Sequence, residues 1–199
     1  MLKIIQEKCM KKKKIILASS SQYRKTLLAS IFTDFECISP NIDETRMPNE
    51  NPEEMVLRLA IEKAKKICER KKDVFVIGSD SCAYCDSKIL GKPLRKDIAI
   101  EYLEFISNKI IIFYTGVCVI NSKTMEVKKD LAEYRIKLKK LSRKNIIDYV
   151  DKHNPVNSSA AFRYEVAKDL LIEEFIDKEN DVSGLIGLPL IKLKKLLEN

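Results

Sequence analysis

Apolar residues along this chain follow two rhythms. Short runs such as Ile15-Ile16-Leu17-Ala18 and Val74-Phe75-Val76-Ile77 predict buried strands, and the second, apolar on both faces, reads as central in a sheet. Longer stretches repeat apolar positions every three or four residues, the spacing of one helix face. Met55, Leu59, Ala60, Ala64 and Ile67 mark a long amphipathic helix in this way, with Asn51 as its cap and Pro52 at its first position. Tyr23 to Ile31 and Asp97 to Ile106 read as helices too, and Ser142 caps another that runs through Val150.

Further strands are predicted over Phe35 to Ser39 and Lys128 to Leu138. Lys109 to Tyr114 and Val117 to Ile120 read as two strands joined or bent at Thr115-Gly116. A short helix follows Gly187-Leu188-Pro189, with Leu190, Leu193 and Leu197 on one face. Strands interleaved with helices predict an α/β fold, a mixed central sheet flanked by helices. A binding cleft between two lobes would lie where strand-end loops converge, near Ser19, Glu44 and Asp80. Residues 1–14 read as a basic extension with little that could pack, and residues 15–199 as one catalytic domain.

With 45% hydrophobic and 33% charged residues in 199, the composition is that of a soluble globular protein and not of a disordered one. The net charge of +8 suits a polyanionic ligand, but the lysines are scattered instead of gathered on one element, which argues against a nucleic acid. No apolar stretch is long enough to span a bilayer, and the first residues lack a signal peptide's apolar segment, so a cytoplasmic location is expected. The six cysteines are then expected to be reduced thiols. Cys82 and Cys85 have the spacing of half a zinc knuckle, but no second pair follows and His153 is the sole histidine, so zinc is not expected.

The candidate chemistry centres on Gly78-Ser79-Asp80-Ser81, an acid read as sitting at the tip of a buried strand, followed by the Gly91-Lys92-Pro93 turn. Breaking a phosphoanhydride needs an aligned water, a base or metal to deprotonate it, and cations to absorb charge growing on the phosphoryl oxygens. Asp80 suits a base or metal ligand, Glu44 beside Asp43 offers a second carboxylate, and Lys63 and Lys92 are cations. Ser19 and Ser21 supply donors where a helix begins, and Arg24 can bind phosphate bidentately.

In their order along the chain these segments resemble the Maf proteins, a family of nucleotide pyrophosphatases. The resemblance spans Ile15 to Leu197 and rests on Leu17-Ala18-Ser19-Ser20-Ser21 with Arg24, Asp43-Glu44, Arg58-Leu59-Ala60, Glu62-Lys63-Ala64, Gly78-Ser79-Asp80, Gly91-Lys92-Pro93, Thr115-Gly116 and Gly187-Leu188-Pro189. It implies a fold like that of the inosine-triphosphate pyrophosphatases and hydrolysis of a nucleoside triphosphate to monophosphate and diphosphate with a divalent cation, Mg2+ or Mn2+. By that resemblance Asp80 is the proton acceptor and, with Glu44, a metal-site residue, while Ser19, Ser21, Arg24, Lys63 and Lys92 bind phosphate. The family also leaves a homodimer open.

Phe113-Tyr114-Thr115-Gly116, Leu94, and Phe162 with Glu165 resemble the branch acting on 7-methyl-GTP to clear non-standard nucleotides. The branch acting on dTTP and UTP has arginine in place of Tyr23 and glutamine in place of Glu165. A methylated guanine carries positive charge, on which Tyr23 can stack, and Glu165 can accept from its N–H donors. Ser81 replaces a threonine or glutamine that helps set specificity, so a dTTP/UTP enzyme stands as the alternative within the family. A non-catalytic nucleotide- or nucleic-acid-binding protein tied to cell division is the alternative outside it. Further departures are the proline missing at Gln22, Ser159-Ala160-Ala161-Phe162 for Ala-Gly-Ser/Ala-aromatic, Ser107-Asn108 for Ser-Gly, and Val166 for a glycine whose loss would reshape the base pocket.

Overall fold

Burial and strand pairing turn the two rhythms into layers. The computed structural model describes residues 14–176 in full, the backbone of residue 177, and residues 181–198. The predicted basic extension lies outside the described residues except for Lys14, which opens the first strand. In chain order the elements are β1 (Lys14–Leu17), α1 (Gln22–Ala29), β2 (Glu36–Cys37), α2 (Pro52–Cys68), β3 (Val74–Cys85), β4 (Lys88–Leu90) and α3 (Lys96–Ile106). They continue with β5 (Ile110–Asn121), β6 (Val127–Leu138), α4 (Arg143–His153), α5 (Tyr164–Leu170), β7 (Ile172–Asp177), α6 (Ser183–Ile186) and α7 (Leu190–Glu198). The strands form one sheet in the order β2-β1-β3-β5-β6-β7, with β4 also on β3. It is mixed, as expected: β1 runs parallel to β2 and β3, whereas β4 on β3 and β7 on β6 are antiparallel.

The chain divides into two compact units. One holds residues up to Asp80, Thr115–Leu131 and the chain from Gly187 on. Its strands show why the first runs are apolar throughout, since alternate residues serve opposite faces. Ile16, Val74, Val76, Cys118 and Ile120 pack with Ala60, Ala64 and Ile67 of α2. Ile15, Leu17, Ile77, Val117 and Val119 pack with Leu28 of α1, Leu188, and Leu193 of α7. Burial pushes the Cys118 thiol up to about 12, so it stays protonated and inert at neutral pH.

The other unit, Ser81–Tyr114 with Ala132–Ile186, has its own core. Tyr134 is fully buried and donates its hydroxyl hydrogen to the Asp181 carbonyl at 2.5 Å. Gly184 packs on the Tyr134 ring, where an added Cβ would meet the hydroxyl at 2.4 Å.

Two strands differ from the reading of the sequence. β3 does not end at Ile77 but runs for 12 residues, so Asp80 lies inside a strand and not at its tip. What ends there is its neighbour: β1 pairs with β3 only from Val74 to Ile77. β5 is likewise one strand of 12 residues, with no break at Thr115-Gly116. Gly116 serves close approach instead of bending, because a Cβ on it would sit 2.6 Å from the Val56 carbonyl of α2. β7, α5, β4 and α6 were not foreseen, and β7 has a reason: its pairing with β6 shifts register twice, which breaks the alternation that marks a strand. Cys82 and Cys85 stand three apart on β3 and so point to opposite faces, where they cannot share one ion.

The departures from the family pattern sort by backbone angle. Asn108 has φ of 59° in the left-handed region, which asparagine tolerates better than most residues with a side chain. Ala160 and Ala161 sit at 53° and 55°, so the missing glycine falls where a side chain is strained. Val166 lies within helix α5, not in a loop, so its backbone does not need glycine's dihedral freedom. Leu94, which matches the family branch instead of departing from it, also lies in the left-handed region, with φ of 62°, and is 68% exposed. Replacing it by glycine removes about 1–2 kcal/mol of left-handed strain against about 0.5–1 kcal/mol of added chain entropy, so Leu94→Gly is expected to raise unfolding free energy by about 1 kcal/mol in urea titrations. A loss of stability there means the strain is relieved by contacts of the leucine.

Candidate active site

The charged residues gather where α2 crosses the strands. Gly78 and Asp80 lie on one face of β3 and Ser79 and Ser81 on the other, by simple alternation. A Cβ on Gly78 would fall 2.0 Å from the Ala60 carbonyl and 3.1 Å from Ala64 Cβ, so only glycine lets α2 come this close. The helix thereby brings Lys63, one turn after Ala60, over Asp80. Lys63 is 4% exposed and Asp80 6%, and Lys63 Nζ donates to Asp80 Oδ1 at 2.6 Å. Glu44, from the loop between β2 and α2, places Oε1 2.9 Å from the same nitrogen. A lysine on the buried face of a helix is rare unless paired, and here two carboxylates pair it.

The capping of α2 explains why that helix starts where it does. Asn51 Oδ1 accepts from Glu54 N at 2.8 Å, and Glu54 Oε2 accepts from Asn51 N at 3.2 Å, a reciprocal cap beside the predicted Pro52.

Arg24 of α1 joins the group through the chain's late segment. Its Nε donates to the Gly187 carbonyl at 2.9 Å. Burial lowers the Arg24 pKa from its ordinary value, while Asp80 and Glu44 oppose that shift, which places the guanidinium in their field. Ser79, fully buried, has its Oγ 2.9 Å from both the Gly187 and the Gly116 carbonyls. Ser79 went unrecognised as a site-building residue, and its place in the Gly-Ser-Asp segment was the only signal for it. Gly187 has φ of 121°, a conformation open to glycine alone in practice, so this carbonyl is aimed by a residue that cannot be replaced freely.

Ser19 and Ser21 shape the entry to α1. Ser21 caps the helix, its Oγ accepting from Arg24 N at 3.4 Å, and Ser19 Oγ accepts from Ser21 N at 3.1 Å. Each hydroxyl thus uses a lone pair on the backbone and keeps its hydrogen to donate. Gln22 occupies the first helical position where the family has proline. Tyr23 follows, half-buried.

Asp80, Lys63, Glu44 and Arg24 are therefore brought together, with Ser19, Ser21 and Tyr23 on the same unit. Ser81, Lys92 and Glu165 belong to the second unit. Within it, Ser81 is half-buried, with its carbonyl accepting from Ser159 Oγ at 3.5 Å. Lys92 is exposed next to the strained Leu94, whose N–H donates to the Val156 carbonyl at 2.9 Å, and Ala160 N–H donates to the Gly91 carbonyl at 2.9 Å. Glu165 is exposed in the first turn of α5, and Phe162 stacks on Phe113 with ring centroids 4.8 Å apart.

Among the described residues no three histidine, cysteine, aspartate or glutamate side chains cluster as a ready metal cage. Glu44 and Asp80 both reach the Lys63 ammonium, and two carboxylates so close suit a small hard cation that completes its shell with water and phosphate oxygens.

The family model described as Maf-like protein matches residues 14–199. This chain belongs to the Maf family. The 7-methyl-GTP pyrophosphatase of Colwellia psychrerythraea is 39% identical over 186 residues, covering 94% of this chain and 92% of that protein. The 7-methyl-GTP pyrophosphatase of Aliivibrio fischeri is 40% identical over 185 residues, covering 93% and 95%. Among solved structures, a HAM1 protein from Coxiella burnetii aligns over 94% of this Maf chain and 98% of its own, with a TM-score of 0.49 and 13% identity.

Proposed function

We propose that this protein hydrolyses 7-methyl-GTP, or a closely related modified nucleoside triphosphate, to the monophosphate and diphosphate. The observation that carries the chemistry is the buried Lys63–Asp80 pair with Glu44 on the same ammonium. A water oxygen attacks the α-phosphorus as Asp80 takes its proton, and the bond from that phosphorus to the bridging oxygen breaks, so the diphosphate leaves with the electron pair. Arg24, Lys63, Lys92 and the donors of Ser19 and Ser21 bind the phosphates and offset the charge growing on them. Glu44 and Asp80 would hold Mg2+ or Mn2+, which when bound polarises phosphoryl oxygens as a Lewis acid. Tyr23, Ser81 and Glu165 select the base, Tyr23 by stacking on the cationic ring. The names of the relatives favour 7-methyl-GTP over dTTP or UTP.

To the same reading belong a cytoplasmic location, a free nucleotide as the binding partner, and assembly as a homodimer. No helix among the described residues is long and apolar enough to cross a membrane.

The test is diphosphate release from a panel of 7-methyl-GTP, GTP, dTTP and UTP with Mg2+ or Mn2+. 7-Methyl-GTP is expected to have the highest kcat/KM. Tyr23→Ala is expected to raise its KM by the ~0.5–2 kcal/mol of a cation–π contact, roughly two- to thirtyfold, and to change that for GTP far less. Preference for dTTP and UTP moves the protein to the other branch, and no release from any nucleotide leaves a binding protein.

A further inference from the structure

The segment bearing Glu44 is nearly all surface. Residues 43 to 49 are exposed, so no apolar anchor fixes them, and an unanchored loop of that length holds about 1–2 kcal/mol of backbone entropy per residue. Glu50 is different, a carboxylate only 8% exposed. Arg58 of α2 closes a fork on it, with Nε donating to Oε1 at 2.5 Å and Nη2 to Oε2 at 2.8 Å. The same guanidinium donates to the Thr45 carbonyl at 3.2 Å and to Glu62 Oε2 at 3.0 Å.

The loop is tied to Glu50 as well. Met47 N donates to Glu50 Oε2 at 3.1 Å, and Arg46 donates to the Glu50 carbonyl from Nε at 2.8 Å and from Nη2 at 2.5 Å. On the other side of Glu44, Asp43 Oδ1 accepts from Thr45 N at 2.9 Å and Thr45 Oγ1 at 2.6 Å. Hydrogen bonds from Arg58 hold Glu50 below the usual carboxylate range, and those same bonds raise Arg58, so both stay charged across the physiological range. Arg58 and Lys63 share one rigid helix. Whatever fixes the loop to Arg58 therefore fixes Glu44 relative to Lys63.

We propose that Arg58 and Glu50 are a positioning pair that holds the Glu44 carboxylate against Lys63 and so sets how tightly the site takes its divalent cation. Neither touches substrate; they act through Glu44. The inference rests on the assignment of Glu44 to the metal.

Two variants keep net charge constant, so that long-range attraction for a cation is unaltered: Arg58→Lys, which loses the fork, and the double Arg58→Met/Glu50→Gln, which removes both charges and leaves none buried alone. Mn2+ binding is measured by electron paramagnetic resonance with a non-hydrolysable triphosphate present, beside Glu44→Gln as the reference, and amide exchange of residues 43–50 is followed by mass spectrometry. Both pair variants are expected to weaken Mn2+ binding about ten- to a hundredfold, as lost outer supports of metal ligands do, and to speed exchange in the loop. Faster exchange with unchanged Mn2+ affinity makes the pair a purely structural staple and overturns the proposal. If Glu44→Gln itself leaves Mn2+ affinity unchanged, the metal assignment fails first and the positioning role with it.

Discussion

Asp80→Asn is expected to lower kcat for diphosphate release by about three orders of magnitude while the protein stays folded and still binds nucleotide. The substitution keeps shape but replaces a proton acceptor by an amide that cannot take a proton at neutral pH. The fold should tolerate it, because Lys63 retains Glu44 at 2.9 Å and is not left as an unpaired buried cation. Without added metal, loss of the negative charge removes repulsion toward the triphosphate, so metal-free nucleotide affinity is expected to hold or rise. Calorimetric binding of 7-methyl-GTP and a coupled diphosphate assay, run on the same preparation, separate the two effects. Turnover within tenfold of the parent means that Asp80 is not the base, and Glu44 becomes the next candidate. A parent protein without turnover, but with tight nucleotide binding, would instead support the non-catalytic alternative.

Gly78→Ala is expected to destabilise the fold by about 3 kcal/mol or more, at the upper end of what overpacking costs. The obstacle is the Ala60 carbonyl 2.0 Å from the new methyl, a backbone atom of a 17-residue helix that cannot turn aside as a flexible side chain would. Relief requires α2 to lift from β3, which draws Lys63 away from Asp80, so activity should fall with stability. Gly116→Ala should act on the same helix through the Val56 carbonyl at 2.6 Å. Urea unfolding read by circular dichroism measures both. A Gly78→Ala protein within 1 kcal/mol of the parent would mean that α2 sits farther from the sheet than described.

Much of this arrangement could be read from residue order, and the exceptions have physical causes. Asn51-Pro52 announced α2, and the apolar runs announced β1 and the start of β3, because capping and two-sided burial leave local marks. The continuation of β3 left none. Gly-Ser-Asp-Ser looks like a loop, yet its polar side chains are spent inside the fold, Asp80 on Lys63 and Ser79 on two carbonyls, while Gly78 makes room for a helix. Thr115-Gly116 misled in the same way, since glycine for close packing and glycine for a bend are the same letter. Arg58 and Glu50 are eight residues apart across a helix start, a spacing with no period to detect. The carboxylates and cations were visible as types. That Glu44 and Asp80 meet on one ammonium depended on the seating of α2, which only the folded chain reveals.

The Gly187 carbonyl has a consequence for when the protein becomes competent. It receives Arg24 from 163 residues earlier and shares Ser79, so the Arg24 and Ser79 side of β3 is finished by a segment synthesised long after the residues it steadies. During translation β1, α2 and the first half of β3 can pack on the emerging chain while Arg24 still lacks its anchor. A nascent chain halted before residue 187 should therefore fold in part and bind triphosphate poorly, so that nucleotide hydrolysis switches on only once Gly187 has been added.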